Sequence, residues 1–172
     1  MQHIILGGGC FWCTESVFLS LAGVISVTSG YAGGQADNAN YEAVCTGNTG
    51  HVEVIDVVFD ENIIGLDTLL DVFFATHDPT TLNRQGNDVG TQYASVIFYT
   101  DDNQVTTINN KIDTLKADGV AVVTQVKVAP TFYPAESYHQ NFYANNPTQG
   151  YCNFAIPPKL AKLKTRFAKY LK

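Results

Sequence analysis

The chain has 172 residues, of which 45% are hydrophobic and 15% charged, with four cysteines and a formal net charge of −6 at pH 7. That length builds a core within one domain without disulfides or metals as staples, and so few cysteines exclude a disulfide scaffold. The acidic balance argues against nucleic acid as the main partner, and no apolar run approaches the ~20 residues that span a bilayer. With no basic, apolar leader at the start, the cytoplasm is the expected compartment and a monomer the simplest expected state.

Taken in chain order, Ile4–Leu6 reads as a strand, Gly7–Gly9 as a turn, and Cys10 as the start of an amphipathic helix carrying Phe11, Val17, Phe18 and Leu21. Val24–Tyr31 reads as a second strand, 37–50 as a polar loop, and His51–Asp60 as a strand rich in Val, Ile and Phe. Leu66–Thr76 follows as a helix and 78–91 as a long loop. Tyr93–Thr100 is predicted as a strand, Asp102–Ala117 as a helix, and Thr124–Ala129 as a strand. Pro134–Asn145 is predicted helical. A loop over 145–158 then carries Cys152, and 159–172 forms a basic amphipathic helix. The opening order βαββαβ implies an α+β fold, a ferredoxin-like split βαβ two-layer sandwich, ending in a long C-terminal loop and a terminal helix.

Charge is unevenly divided. All 16 acidic residues lie at or before Glu136, while six of the ten basic ones fall in 159–172. Leu160, Leu163, Phe167 and Leu171 form one stripe of that last segment, with lysines opposite. The stripe implies a helix docked on the acidic body rather than one lying on a membrane or nucleic acid.

The chemistry concentrates at Cys10. A cysteine at the first helical turn, with glycines before it and no capping side chain, leaves free backbone N–H groups and a positive helix end that favour thiolate over thiol. Phe11 and Trp12 beside it can wall an apolar pocket. In the strand after His51, residues Glu53, Ile55, Val57 and Phe59 share one parity, so the Glu53 carboxyl is expected to be buried, raised in pKa and able to act as an acid. Tyr41, Tyr93 and Tyr138 cluster near the loops, where their hydroxyls can donate to a developing oxyanion. Cys13 completes Cys-x-x-Cys on one helix face, and Cys45 is expected to pack as a small hydrophobe.

The segments Gly9-Cys10-Phe11-Trp12, Tyr41-Glu42-Ala43-Val44, Gly50-His51-Val52-Glu53, Asp88-Val89-Gly90-Thr91-Gln92-Tyr93 and Tyr138-His139-Gln140 occur in register. In these the chain resembles the peptide methionine sulfoxide reductases of the A class, from about Ile4 to Cys152. The resemblance implies reduction of the S-epimer of methionine sulfoxide, free or in proteins, without metal or organic cofactor. It implies Cys10 as nucleophile, Glu53 as the acid that protonates the sulfoxide oxygen, and Tyr41 and Tyr93 as its hydrogen-bonding partners. Phe11 and Trp12 match the walls around the substrate methyl group, and Asp88 and His139 match substrate-contacting positions. Cys152 matches the recycling cysteine, with Cys13 as its rival, and thioredoxin is the expected reductant of the resulting disulfide. Three departures stand out: Cys13 where glycine is frequent, Ala94 where arginine is common, and Phe142 where tyrosine is usual.

Two other readings use the same residues. Cys10 and Cys13 could serve a thioredoxin-like dithiol oxidoreductase, although the aromatic pair lies between the cysteines rather than before them. A zinc module would need Cys10, Cys13, Cys45 and Cys152 with His51 or His139, but only one closely spaced ligand pair exists.

Overall fold

The computed structural model describes residues 1–172. In chain order its elements are β1 (Gln2–Gly8), α1 (Phe11–Leu19), β2 (Val24–Ala32), α2 (Tyr41–Val44), β3 (Val52–Phe59), α3 (Leu66–Thr76), β4 (Arg84–Gln85) and β5 (Asp88–Val89). They continue with β6 (Ser95–Tyr99), α4 (Asn103–Ala117), β7 (Gln125–Val128), β8 (Phe132–Pro134), α5 (Phe142–Asn145) and α6 (Gly150–Arg166). Six strands form one sheet in the order β7-β6-β1-β3-β2-β8. β3 pairs antiparallel with both β1 and β2, β6 pairs antiparallel with β1, and β7 joins β6 in parallel. β4 and β5 make a separate two-stranded ribbon inside the long 78–91 loop.

Alternation along the strands divides the apolar residues between two faces. Ile4, Leu6, Ile55, Val57 and Phe59 point into the larger core, where they meet Phe11, Val17 and Phe18 of α1 and Leu69, Leu70 and Phe73 of α3. Ile5, Val54, Val96 and Phe98, of opposite parity, form a smaller cluster with Ala32. Gly30 marks where the edge strand closes in: a Cβ there would lie 2.4 Å from the Phe132 ring and 2.5 Å from the Tyr133 carbonyl.

Two stretches differ from expectation, each for a tertiary reason. Residues 134–145 do not form one helix. Pro134 ends β8, 137–139 is a single 3-10 turn, and Asn141 takes the left-handed conformation (φ 53°) before the four-residue α5. The N–H groups of Asn141 and Phe142 leave the helical ladder to bond the Glu15 carboxylate. The C-terminal loop expected over 145–158 is largely absent, because α6 begins at Gly150 and so carries Cys152 in its first turn. The Gln149 side chain caps that turn by accepting from Cys152 N at 2.7 Å. The helix runs through Pro157 and Pro158, whose missing N–H groups leave the carbonyls of Asn153 and Phe154 without helical donors.

The expected terminal helix over 159–172 is likewise shortened. α6 ends at Arg166, and Leu171 instead forms an isolated bridge with Leu21. Docking is apolar: Ile156, Leu163 and Phe167 are buried, each contributing roughly 1.5–3 kcal/mol. None of the tail lysines pairs with a carboxylate; Lys159 donates instead to the Thr76 carbonyl at the end of α3. No helix is long and apolar enough to cross a membrane.

Candidate active site

The N-terminus of α1 organises the site. β1 delivers the chain to Gly9, whose φ of 97° and approach to Gln85 (2.8 Å from a Cβ placed there) require glycine. Cys10 is the N-cap and makes no side-chain cap of its own, so the first N–H groups of the helix are free to serve other atoms. Phe11 N donates to Glu53 Oε1 at 3.1 Å, and Trp12 N donates to the Cys10 sulfur. Neighbouring donors on one helix end thus hold a carboxyl and a thiol side by side.

Glu53 is 1% exposed on β3, opposite Tyr31 of β2, and Ile55, Val57 and Phe59 on the same parity are all buried. Burial pushes its pKa up to about 8, against the lowering effect of the Phe11 N–H, so the carboxyl keeps its proton at neutral pH.

Cys10 departs from expectation. Its hydrogen bond to Cys13, its burial and the nearby Glu53 raise its thiol well above the ordinary range and outweigh the Trp12 N–H. Cys13 moves the other way, lowered by the hydrogen bond from Cys10 and then by Lys159 and the Tyr151 hydroxyl. Their mutual hydrogen bond thus shifts the two thiols in opposite directions, Cys10 up and Cys13 down. The helix N-terminus alone does not make Cys10 a thiolate.

Cys152 is fully buried and packs with Cys13 and Ile156, with Cys10 against the same cluster. Burial raises its thiol to about 11. Three cysteines thus sit together. Cys45 does not join them; it is exposed, contrary to expectation, and its thiol bonds the Tyr41 hydroxyl. His51 is also spent elsewhere, on Gly34 N and the Gln35 carbonyl. Of the residues invoked for a zinc module, Cys45 and His51 thus lie apart from the cluster of Cys10, Cys13 and Cys152.

An aromatic cup surrounds the acid and the thiol. Phe11 lies 5.7 Å from Tyr31, 6.4 Å from Tyr41 and 5.2 Å from His139, ring centre to ring centre. Trp12 stacks on Phe142 at 4.0 Å, with only 8° between the planes. Its indole N–H donates to His139 Nδ1 at 2.9 Å, which puts the imidazole proton on Nε2. Burial lowers the His139 pKa and keeps the ring neutral. Tyr41 and Tyr93 are both raised by burial, so both remain O–H donors beside Glu53. Tyr93 ends the 3-10 turn 91–93 just before β6.

A cavity of about 340 Å³ opens beside Cys10 and Cys13, lined also by Gly8, Asp88, Tyr151 and Lys159 among others. Asp88 comes from the β4–β5 ribbon and accepts from the Tyr151 hydroxyl at 2.5 Å. Four contributors had no sequence signal: Lys159 and Tyr151 on α6, Glu15 on α1, and Glu136. The Glu136 carboxylate accepts from Tyr31 Oη and Tyr41 N, tying β2 to α2.

A buried neutral carboxyl, a thiol chain three members long and an aromatic cup define a thiol-dependent oxidoreductase. Comparisons with known proteins make this specific. The sequence model of the family described as peptide methionine sulfoxide reductase matches residues 2–171. The chain is 67% identical over 171 residues to the peptide methionine sulfoxide reductase MsrA of Psychrobacter cryohalolentis, covering 99% of both chains. It is 59% identical over 172 residues to the corresponding protein of Acinetobacter baumannii, covering 100% of this chain and 99% of that one. Among solved structures it is similar to reduced Mxr1 from Saccharomyces cerevisiae, with a TM-score of 0.83 and 34% identity over 90% of this chain and 88% of that one. The chain belongs to the peptide methionine sulfoxide reductase family.

Proposed function

We propose that the chain reduces methionine (S)-sulfoxide, free or within oxidised proteins, to methionine, using its own thiols. The observation that carries this reading is the pair at the N-terminus of α1: a protonated Glu53 reaching in from β3 and the Cys10 sulfur, held by the adjacent N–H groups of Phe11 and Trp12. A sulfoxide is a poor electrophile until its oxygen is protonated, so acid and nucleophile must act together. Glu53 gives its proton to the sulfoxide oxygen, with the Tyr41 and Tyr93 hydroxyls donating to the same oxygen. Cys10 passes its own proton to Cys13 and takes the oxygen as a sulfenic acid, while methionine leaves. Two electrons leave the Cys10 sulfur and reduce the substrate sulfur. Phe11 and Trp12 receive the substrate methyl group, and Asp88 and His139 contact the substrate.

Cys13 then attacks the sulfenic acid, forming a Cys10–Cys13 disulfide and releasing water. Cys152 exchanges onto Cys13 and frees the Cys10 thiol. Cys13 supports the relay role because it is the thiol bonded to Cys10 and the one drawn down in pKa, and Cys152 because it packs on Cys13. A buried protein disulfide needs a dithiol reductant, for which thioredoxin is the proposed partner.

Residues 1–172 are read as one catalytic domain, a ferredoxin-like split βαβ unit with additions. The β6-β1-β3-β2 order with its two crossover helices supports that description. Because one chain supplies all the groups, a monomer suffices. Reliance on free thiols suits the cytoplasm.

The test is a count of methionine formed by reduced protein and excess methionine (S)-sulfoxide without reductant. The relay predicts about two methionines per chain and a Cys13–Cys152 disulfide by mass mapping. One methionine with a Cys10–Cys152 link would remove the relay and keep the activity, and none would overturn the reading.

A further inference from the structure

Glu15 is a buried carboxylate that the chemistry above does not use. It sits on α1 one turn beyond Trp12, is 2% exposed, and accepts three hydrogen bonds. Asn141 N donates at 2.9 Å and Ser29 Oγ at 3.2 Å to Oε2, and Phe142 N donates at 3.2 Å to Oε1. Two of these donors are backbone groups at a chain reversal, where Asn141 is left-handed and α5 begins with no cap of its own. A carboxylate reaching in from another helix does the capping.

The segment so held carries the partners of Trp12. Phe142, whose N–H is bonded to Glu15, stacks on the indole, and His139, three residues earlier, accepts the indole N–H. Between them Gln140 is fixed on β2 through Ser29 N and O, at 2.9 Å each, and reaches the Ala135 carbonyl at 3.1 Å. One helix thus presents Trp12 and, a turn later, the group that locks the opposite side of its stack. Burial raises the Glu15 pKa against the lowering effect of its three donors.

We infer that Glu15 is a positioning residue for substrate selection: by clamping the 139–142 segment to α1 it holds the Trp12 wall in shape for a methyl-bearing sulfoxide. The inference rests on the reductase reading for the identity of the substrate. It does not rest on it for the clamp, which Trp12, the only tryptophan in the chain, reports by its own fluorescence.

The test is Glu15→Gln. An amide cannot accept at both ends, so one backbone N–H loses its partner and the segment loosens. With N-acetylmethionine (S)-sulfoxide as substrate, KM is expected to rise roughly tenfold, the effect of one charge-assisted hydrogen bond. The single-turnover rate at saturation should stay within about twofold, and Trp12 emission should shift to the red. Combining Glu15→Gln with Phe142→Ala should be no worse than Phe142→Ala alone, since both act on the same stack. Unchanged KM and emission in a folded variant would overturn the clamp, as would a fall in saturating rate with emission unmoved. If Glu15→Gln does not fold, Ser29→Ala removes one donor and leaves the carboxylate. A smaller rise in KM with a red shift supports the clamp, and wild-type values for both overturn it. Should wild type itself make no methionine, the reductase reading fails, while the emission of the variants still decides whether Glu15 holds the wall.

Discussion

The Tyr151 hydroxyl donates to Asp88 Oδ2 at 2.5 Å, so the residue before Cys152 is bonded to the carboxylate at the mouth of the cavity. On the proposed reading, substrate and α6 therefore compete for Asp88. Tyr151→Phe removes the internal competitor, and KM for methionine (S)-sulfoxide is expected to fall by roughly threefold, part of the value of a hydrogen bond to a charged group. Steady-state kinetics read it. An unchanged KM would mean that substrate does not use Asp88.

With Glu53 as the proposed acid, its ionisation is expected to set the alkaline side of the rate profile. With a pKa of about 8 it is an acid below that pH and a carboxylate above it, so the single-turnover rate should decline as pH rises through 8. Glu53→Gln should cost about a hundredfold at neutral pH and erase that decline. A decline that persists in the variant would assign it to another group.

The proposed relay gives Cys13 a part in both the protonation and the fate of Cys10. In Cys13→Ala the hydrogen bond that raises the Cys10 thiol is gone, and the pH midpoint for alkylation of Cys10 should fall. The same variant should give about one methionine per chain rather than two, since the second electron pair has nowhere to move. A midpoint that stays high would make burial and Glu53 the controlling effects.

His77 gives the fold an acid-labile point away from the thiols. Its ring bonds the Phe73 carbonyl through Nδ1 at 2.5 Å and Ser95 Oγ through Nε2 at 2.8 Å, and burial lowers its pKa from 6.5 to about 4. Between those values the unfolded chain binds a proton that the folded one does not. Stability is thus lost as pH falls across the window, by about 3 kcal/mol in full. Glu53 acts in the opposite sense, since its folded pKa is raised and it destabilises the fold as pH rises from 4.5 to 8. Urea unfolding at pH 7 and pH 4.5 should show a more acid-sensitive wild type than His77→Gln. Equal slopes would show that His77 is protonated in place.

What could be read ahead followed local rules. Glu53 was legible because strand parity is a local property, and three apolar neighbours on its face announce burial. Cys10 at a helix start was legible from the glycines and the apolar spacing beyond them. Its protonation was not, because that depends on Cys13 and Glu53 meeting it in space. The break at Asn141 follows from Glu15, 126 residues away in sequence, and no local pattern records it. The start of α6 was obscured by Pro157 and Pro158, which read as helix breakers yet sit in a helix anchored on both sides by Cys152, Ile156 and Leu163.

That proline pair has a mechanical consequence. With the Asn153 and Phe154 carbonyls freed from the ladder, α6 is two levers joined end to end. One is riveted to the body by Leu163 and Phe167, and the other bears Tyr151 and Cys152 on Gln149, Asp88 and their own packing. Amides at 152–156 are expected to exchange with deuterium well before those at 161–166, because the break in the ladder lets the first half of the helix open without the second. On the proposed relay Cys152 must meet first Cys13 and then an external reductant, and this joint would give it that reach at no cost to the anchor of the helix.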